Sequence, residues 1–230
     1  MLEFFKKKQV GPSKTVSEKR IKDFQEIYNS FSDDQSVDQA SRCSQCGIPY
    51  CQIHCPLNNN IPDWLKYIAE DRLEEAYEIS SSTNAFPEVC GRVCPQDRLC
   101  EGNCVVEKAG FGSITIGSLE KHITETAWEK GWIKPIVSSN KQNQKVAIIG
   151  SGPAGLAAAT YLIEYGYDVE VFEKNDRIGG LMIYGIPNFK LDKSVVVRRH
   201  EWLKESGVIF HTNCEVGKDI TFDDLEKNFD

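Results

Sequence analysis

Eight of the chain's nine cysteines lie in two short runs, and no other feature of the sequence constrains its fold as strongly. The first run is Cys43-x2-Cys46-x4-Cys51-x3-Cys55-Pro56, and the second is Cys90-x3-Cys94-Pro95-x5-Cys100-x3-Cys104. Disulfides, zinc and iron–sulfur clusters are the three chemistries that could account for such runs. The ninth, Cys214, stands alone on a predicted strand and is expected to be a small buried apolar residue without a function.

Composition and charge limit the class of protein and therefore the chemistry of its cysteines. The net charge of −7 argues against a general nucleic-acid binder, which is usually basic. The first ten residues lack the apolar run of a secretion signal, and the longest apolar stretch is broken by glycines and too short to span a bilayer. We therefore expect a cytoplasmic protein with neither a nucleic-acid nor a membrane partner, in which thiols stay reduced.

Reduced thiols make a disulfide framework a poor explanation, and a chain of 230 residues does not need covalent staples. Zinc is the serious alternative, since four thiolates form a closed tetrahedral site. Zinc sites, however, usually pair two short Cys-x2–4-Cys segments across a longer gap. Here four cysteines lie within 13 residues and end in Cys55-Pro56, as in ferredoxin-type runs. The pattern favours iron–sulfur clusters.

Apolar spacing predicts helices around these runs. Over residues 17–31, Ile21, Phe24, Ile27 and Phe31 recur at helical spacing, and residues 59–80 and 117–130 also have helical patterns. The polar segment 138–144 separates this half from a strand–turn–helix–strand pattern. We predict an N-terminal arm and helix (1–40), a helical iron–sulfur domain (41–137), a linker (138–144) and an α/β domain (145–230).

The α/β pattern contains a dinucleotide fingerprint, Gly150-Ser151-Gly152-Pro153-Ala154-Gly155, between the predicted strand 145–149 and a helix that ends near residue 165. Its glycines permit a tight turn, backbone approach to a pyrophosphate and close helix–strand packing, while the helix N-terminus favours phosphate. Glu173 ends the next strand and could accept hydrogen bonds from a ribose. The second glycine-rich loop, Gly179–Asp192, favours FAD over NAD because it would approach a cofactor that extends beyond the pyrophosphate.

These segments resemble the small (beta) chain of bacterial NADPH-dependent glutamate synthase. The resemblance rests on CGIPYCQIHCPLNNNIPDW, CGRVCPQDRLCEGNCV, TIGSLEKHI, GSGPAGLAAA and GGLMIYGIPNFKLDK, and it extends from about residue 41 to the end. The same module occurs in dihydropyrimidine dehydrogenase and related flavin reductases. The implied fold is an α-helical domain with two [4Fe–4S] clusters, followed by an incomplete α/β Rossmann-like FAD-binding domain.

The resemblance also implies ligand sets that spacing does not. One cluster would be held by Cys43, Cys46, Cys51 and Cys104. The other would be held by Cys55, Cys94 and Cys100 with Glu120 as its fourth ligand, Cys90 being the alternative to Glu120. The implied FAD-binding residues are Gly150, Ser151, Gly152, Pro153, Ala154, Gly155, Glu173, Gly180, Leu181, Lys190 and Val216.

The implied activity is that of an oxidoreductase subunit. Electrons would pass from NADPH through FAD and both clusters to the FMN of a large (alpha) subunit, which forms glutamate from glutamine and 2-oxoglutarate. No catalytic residue is predicted in this chain. A second fingerprint, for NADPH, is absent from the sequence, so we expect the chain alone to be a fragment that binds clusters, binds FAD weakly or not at all, and does not oxidise NADPH. The alternatives are a truncated iron–sulfur carrier or scaffold, and a module that serves another acceptor, as in pyrimidine reduction or electron bifurcation.

Overall fold

The computed structural model describes residues 1–230 and divides them into two units, Met1–Ile133 and Lys134–Asp230. The division falls shortly before the predicted linker. Residues 138–144 lie in the second unit, where the Gln142 N–H donates to Gly166 O at 3.0 Å and Gln144 O accepts from Asp168 N at 3.0 Å. No helix is both long enough and apolar enough to cross a membrane.

The first unit is helical. After a 3-10 turn (Glu3–Phe5) come α1 (Ser17–Asp23), α2 (Asp33–Ala40), α3 (Tyr50–Ile53), α4 (Ile61–Ala69), α5 (Leu73–Ser81), α6 (Pro87–Val93), α7 (Val105–Lys108) and α8 (Ile116–Glu129). The predicted helix over residues 117–130 is confirmed by α8. The predicted helix over 59–80 is two helices, because Asp71 adopts a left-handed conformation (φ 57°) between α4 and α5.

The helix predicted over residues 17–31 is wrong beyond Asp23. Phe24 adopts φ 52° and ends α1, and the following backbone pairs with an upstream segment. Thr15 N donates to Ile27 O at 2.9 Å, and Asn29 N donates to Ser13 O at 2.9 Å. The apolar spacing was misleading, since Phe24 is 60% exposed whereas Phe31 is buried. Backbone hydrogen bonds between residues 13–15 and 27–29 determine the structure here, and the local helical pattern does not.

The core of the first unit lies between α4, α5 and α8. Trp64, Leu65 and Ile68 of α4 are fully or almost fully buried, as are Leu119 and Ile123 of α8. These apolar side chains hold the helices together, because packing the helices removes apolar surface from water. The packed helices thus support the segments that carry the cysteines.

A buried polar link fixes α4 against α5. The indole N–H of Trp64 donates to Asn59 Oδ1 at 2.7 Å, and Asn59 Nδ2 donates to Ser80 O at 2.8 Å. All three residues are buried, so each group depends on its partner to replace the hydrogen bonds it would make to water.

The second unit has a three-stranded parallel sheet in the order β1-β2-β3. Val146 pairs with Val169, and Phe172 pairs with His211. The predicted strands and helix of the fingerprint are confirmed. The elements are β1 (Lys145–Ile149), α9 (Pro153–Glu164), β2 (Asp168–Phe172), α10 (Leu181–Tyr184), α11 (Lys193–Glu205), β3 (Ile209–His211) and α12 (Phe222–Asn228).

Trp64→Phe is expected to lower the free energy of unfolding by about 1–3 kcal/mol, because it leaves the buried Asn59 carbonyl without its donor. Urea denaturation followed by far-ultraviolet circular dichroism measures the change. Trp132→Phe, at a partly exposed position, serves as the matched control. A Trp64→Phe chain as stable as the control would contradict the structural role of this link.

Candidate functional site

Cysteines from both runs meet in the first unit. Cys43, Cys46 and Cys51 of the first run and Cys104 of the second line a single cavity. Its remaining walls are mostly apolar: Pro62, Leu65, Val105, Ile114 and Ile116. Cys104 reaches the cavity because it immediately precedes α7, which packs through Val106 into the core. The four thiols are those of the first ligand set that the family resemblance implies.

Polar groups point at two of these sulfurs. Gln45, at φ 51°, directs its backbone N–H (3.5 Å) and its Nε2 (3.4 Å) at Cys43 Sγ. Gln45 Nε2 also donates to Pro62 O at 2.7 Å, and Ser44 Oγ lies 2.9 Å from Cys46 Sγ. Donors to sulfur are a means by which a protein stabilises thiolate ligands and tunes the group they hold.

Burial makes two of these thiols, Cys43 and Cys51, resist ionisation. Burial, together with the charges of Cys43 and Cys104, raises the pKa of Cys51 to about 12. The pKa of Cys43 is raised by burial as well, and by the nearby Cys104 and Cys46. A cationic centre among the four sulfurs would stabilise the thiolate forms of Cys43 and Cys51. This donor set fits an iron–sulfur cluster, in which the irons supply that positive charge.

A second neighbourhood contains Cys55, Cys94 and Cys100. Burial, followed by the charges of Glu120 and Cys55, raises the pKa of Cys94. Burial, followed by the charges of Glu101, Glu120 and Cys94, raises the pKa of Cys100. These electrostatic influences link members of the second implied ligand set to one another, whereas those on Cys43 and Cys51 come from within the first set.

Glu120 and Cys90, the alternative fourth ligands, share one partner. Asn84 Nδ2 donates to Glu120 Oε1 at 3.0 Å, and Cys90 Sγ lies 3.7 Å from Asn84 Oδ1. Burial raises the pKa of Glu120 to about 8 and raises that of Cys90 strongly. Both side chains stand at the second neighbourhood, so the structure leaves the alternative open. Sequence reasoning missed Asn84, because an asparagine between helices has no motif of its own.

The crossing of α6 and α8 sets the geometry of this neighbourhood. A methyl group on Gly91 would lie 2.7 Å from Lys121 N and 2.8 Å from Gly117 O. Only glycine at this point lets α6, which carries Cys90, approach Glu120 on α8 so closely.

No group of three or more His, Cys, Asp or Glu side chains is arranged to hold a single metal ion. The predicted ligand sets stay predictions.

The glycines of the fingerprint differ in their surroundings. Gly150 has φ 93°, and a methyl group on Gly155 would lie 2.0 Å from Gly150 O. Gly152, in contrast, faces open space and is the N-cap of α9 without any side-chain cap. Gly155 thus serves close packing of α9 on the preceding turn, while the backbone at Gly152 is accessible to a ligand's phosphates.

The second glycine-rich loop packs directly on the first. Gly179 N donates to Ser151 O at 3.1 Å, and a methyl group on Gly180 would lie 2.7 Å from Gly152 Cα. Leu181 beside it is 72% exposed. The side chain of Lys190 is exposed, and Val216 forms an isolated bridge with Ile220. Lys190 belongs to the second glycine-rich loop, and its backbone N–H donates to Pro187 O at 3.0 Å.

Glu173 is buried, and its carboxylate already accepts four hydrogen bonds. Ser151 N (2.9 Å) and Ser151 Oγ (2.6 Å) donate to Oε2, and Asn175 N (2.9 Å) and Nδ2 (2.7 Å) donate to Oε1. Burial acts to raise the pKa of Glu173, but these hydrogen bonds outweigh it and hold the pKa below its usual range. A ribose could bind this carboxylate only by sharing or displacing one of these donors. Sequence reasoning did not identify Asn175.

Known families match both units. The family described as dihydropyrimidine dehydrogenase domain II, 4Fe-4S cluster, matches residues 20–132, and that described as NAD(P)-binding Rossmann-like domain matches residues 148–196. The chain therefore consists of an iron–sulfur domain followed by a Rossmann-like domain.

Curated relatives match the chain over nearly all of its length. It is 56% identical to the "Glutamate synthase [NADPH] small chain" of Azospirillum brasilense, covering 99% of this chain and 47% of that protein. It is 49% identical to the protein of the same name from Escherichia coli K12, covering 99% of this chain and 48% of that protein. It is 46% identical to "Putative oxidoreductase AegA" of E. coli K12, covering 95% of this chain and 33% of that protein. The chain is a homologue of the glutamate synthase small chains and spans about half their length.

Gly155→Ala is expected to lower the thermal midpoint of the second unit, because its methyl group would collide with backbone that cannot move independently of β1 and α9. Gly152→Ala is the matched control, since its methyl group has open space around it. Circular dichroism during heating compares the two. Equal midpoints for both variants would show that Gly155 is not required for packing.

Proposed function

We propose that this chain is the electron-relay portion of a glutamate synthase small chain, holding two [4Fe–4S] clusters and FAD. The observation that carries the proposal is the meeting of Cys104 with Cys43, Cys46 and Cys51 around one cavity. These thiols are far apart in sequence, buried (Cys43, Cys104) or half-buried (Cys46, Cys51), and without disulfide partners, which suits a structure that a bound cluster completes. NADPH is the proposed electron source, and the FMN of a large subunit is the proposed acceptor.

In the first unit the protein holds the clusters and tunes their reduction potentials. The four thiols of the first set bind one cluster, and Gln45 and Ser44 direct donors at its sulfur ligands. Cys55, Cys94, Cys100 and Glu120 bind the other, with Asn84 orienting the Glu120 carboxylate. When bound, iron–sulfur clusters carry single electrons at potentials set by their ligands and surroundings. Apolar walls exclude water from the first site.

In the second unit the protein binds and orients a dinucleotide. The N-terminus of α9 beside Gly152, on which the loop at Gly180 packs, would hold the pyrophosphate of FAD. Glu173 would hold the ribose by sharing or giving up one of the hydrogen bonds that it accepts from Ser151 and Asn175. FAD is the cofactor that couples hydride donors to one-electron carriers, so it joins NADPH to the clusters.

A reductase module for a different acceptor is the second candidate. The 46% identity to the putative oxidoreductase AegA favours it, since that protein is not a glutamate synthase by name. A mixing experiment distinguishes the two candidates. The chain is reduced by dithionite under anaerobic conditions, freed of excess reductant, and mixed with purified glutamate synthase large subunit. Reoxidation of the clusters in a stoichiometric complex favours the first candidate, and absence of both complex and reoxidation favours the second.

Anaerobic purification with quantification of iron, sulfide, zinc and flavin tests the cofactor content. About eight irons and eight sulfides per chain, with an absorption near ~400 nm that dithionite bleaches, are expected for two cubane clusters. Stoichiometric zinc without sulfide would refute the electron-relay function and leave a metal-stabilised scaffold.

Gly91→Ala is expected to reduce the iron content from about eight to about four per chain, because the methyl group separates Cys94 from Glu120 and leaves the first cavity intact. Gly11→Ala, at an exposed position with open space around the α-carbon, is the control. Colorimetric iron and sulfide assays on both variants decide it. Full iron occupancy in Gly91→Ala would disprove the role assigned to the α6–α8 crossing.

Gly152→Ala is expected to weaken FAD binding by about tenfold or more, equal to about 1.4 kcal/mol, since its methyl group would occupy the space of the pyrophosphate. Titration of FAD fluorescence against the chain measures the dissociation constant. Gly11→Ala is again the control. If Gly152→Ala binds FAD as the unaltered chain does, the pyrophosphate does not lie at this loop.

A further inference from the structure

Arg42 is a fully buried cation in the first unit. Its guanidinium donates to four backbone carbonyls: Lys7 O (3.1 Å), Phe111 O (2.8 Å), Gly112 O (2.8 Å) and Ser113 O (2.5 Å). These contacts fix its position and use four of the five N–H donors of the guanidinium. None of them supplies a full negative charge, so the charge of Arg42 is buried without a carboxylate bonded to it. A buried charge of this kind is costly unless something nearby compensates it.

The first cysteine site adjoins Arg42 in the sequence and through the loop that holds its guanidinium. Arg42 directly precedes Cys43, and the loop 111–113 that holds its guanidinium leads into Ile114, a wall of the cavity shared by Cys43 and Cys104. Burial lowers the pKa of Arg42, and the charge of a Cys104 thiolate is the foremost influence that opposes this lowering. Asp38 and Glu107 contribute less, and Asp38 is paired with Lys7 at 2.9 Å.

The second site has the opposite surroundings. Its cations, Arg92 and Lys121, are engaged by carboxylates: Arg92 contacts Glu26 at 2.5 Å and Glu125 at 3.0 Å, and Lys121 contacts Glu26 at 2.7 Å. Glu101, adjacent to Cys100, is half-buried and accepts a hydrogen bond from Gly117 N at 2.9 Å. No uncompensated buried cation equivalent to Arg42 stands among these contacts.

We infer that Arg42 is the counter-charge of the cluster at Cys43, Cys46, Cys51 and Cys104 and raises the reduction potential of that cluster relative to the one at the second site. A cluster gains one negative charge on reduction, and a fixed positive charge in a low-dielectric interior stabilises the reduced form. Arg42 is a positioning residue rather than a ligand. This inference rests on the proposed function, because it requires both clusters.

The test is a redox titration of the anaerobically purified chain, followed by electron paramagnetic resonance, with Arg42→Met, Arg42→Lys and Arg98→Met. Arg42→Met is expected to shift one of the two cluster potentials downward and leave the other unchanged. Arg42→Lys keeps the charge and is expected to restore most of the potential, although it loses the planar fork. Arg98 is exposed in the second cysteine run, so Arg98→Met is expected to shift neither potential.

Gln9→Glu tests the same inference without removing the buried side chain. Gln9 is exposed, its Nε2 donates to Ser113 Oγ at 2.9 Å, and its Oε1 lies beside Gly112 in the loop that holds Arg42. A carboxylate there would partly neutralise the guanidinium and is expected to produce a smaller downward shift of the same potential. This variant decides the question if Arg42→Met does not assemble clusters.

Clusters whose potentials are the same in Arg42→Met or Gln9→Glu as in the unaltered chain would overturn the inference and leave the proposed function standing. Equal shifts in Arg42→Lys and Arg42→Met would also overturn it, because they would report packing rather than charge. An unaltered chain that assembles no clusters would overturn the proposed function and this inference with it.

Discussion

The first unit depends on the burial of cysteine thiols, several of which resist ionisation. Burial and mutual repulsion raise the pKa values of Cys43, Cys51 and Cys100, so negative charge on these sulfurs must be balanced from within the protein interior. Much of the surrounding structure can be understood from this requirement. Gln45 and Ser44 direct polar groups at sulfur, and the buried Arg42 directly precedes Cys43 in the sequence.

Close backbone approach is the corresponding constraint at two other places. Gly91 lets α6 meet α8 beside the second cysteine neighbourhood, and Gly155 lets α9 meet the turn after β1. In both cases a methyl group would collide with backbone atoms rather than with a side chain that could move aside. Glycine is thus used in this chain to set distances between elements that carry functional groups.

Local patterns were sufficient to predict much of the fold. The helix α8 and the β1–α9–β2 segment follow from periodicity and from the glycine fingerprint, because neighbouring residues determine these structures. The helix over residues 17–31 was predicted wrongly because its second half pairs with residues 13–15, a contact between segments that periodicity does not describe. Likewise, the αL residue Asp71 divides a segment that reads as one helix.

The site was predictable to a different extent. The spacing of the cysteine runs predicts iron–sulfur clusters. The grouping of Cys104 with Cys43 came only from a family resemblance. Asn84, Asn175 and Arg42 could not be found in the sequence, since their roles arise from contacts with residues distant in the chain or from burial. Single asparagines and arginines have no spacing that signals such roles.

The central claim is that the fold gathers two separate ligand sets, each for one cluster. Anomalous diffraction at the iron absorption edge, from crystals of the chain grown without oxygen, locates irons relative to side chains directly. The account predicts two iron centres, one among Cys43, Cys46, Cys51 and Cys104 and the other among Cys55, Cys94, Cys100 and either Glu120 or Cys90. A single centre, or irons ligated by all four cysteines of one run, would contradict it.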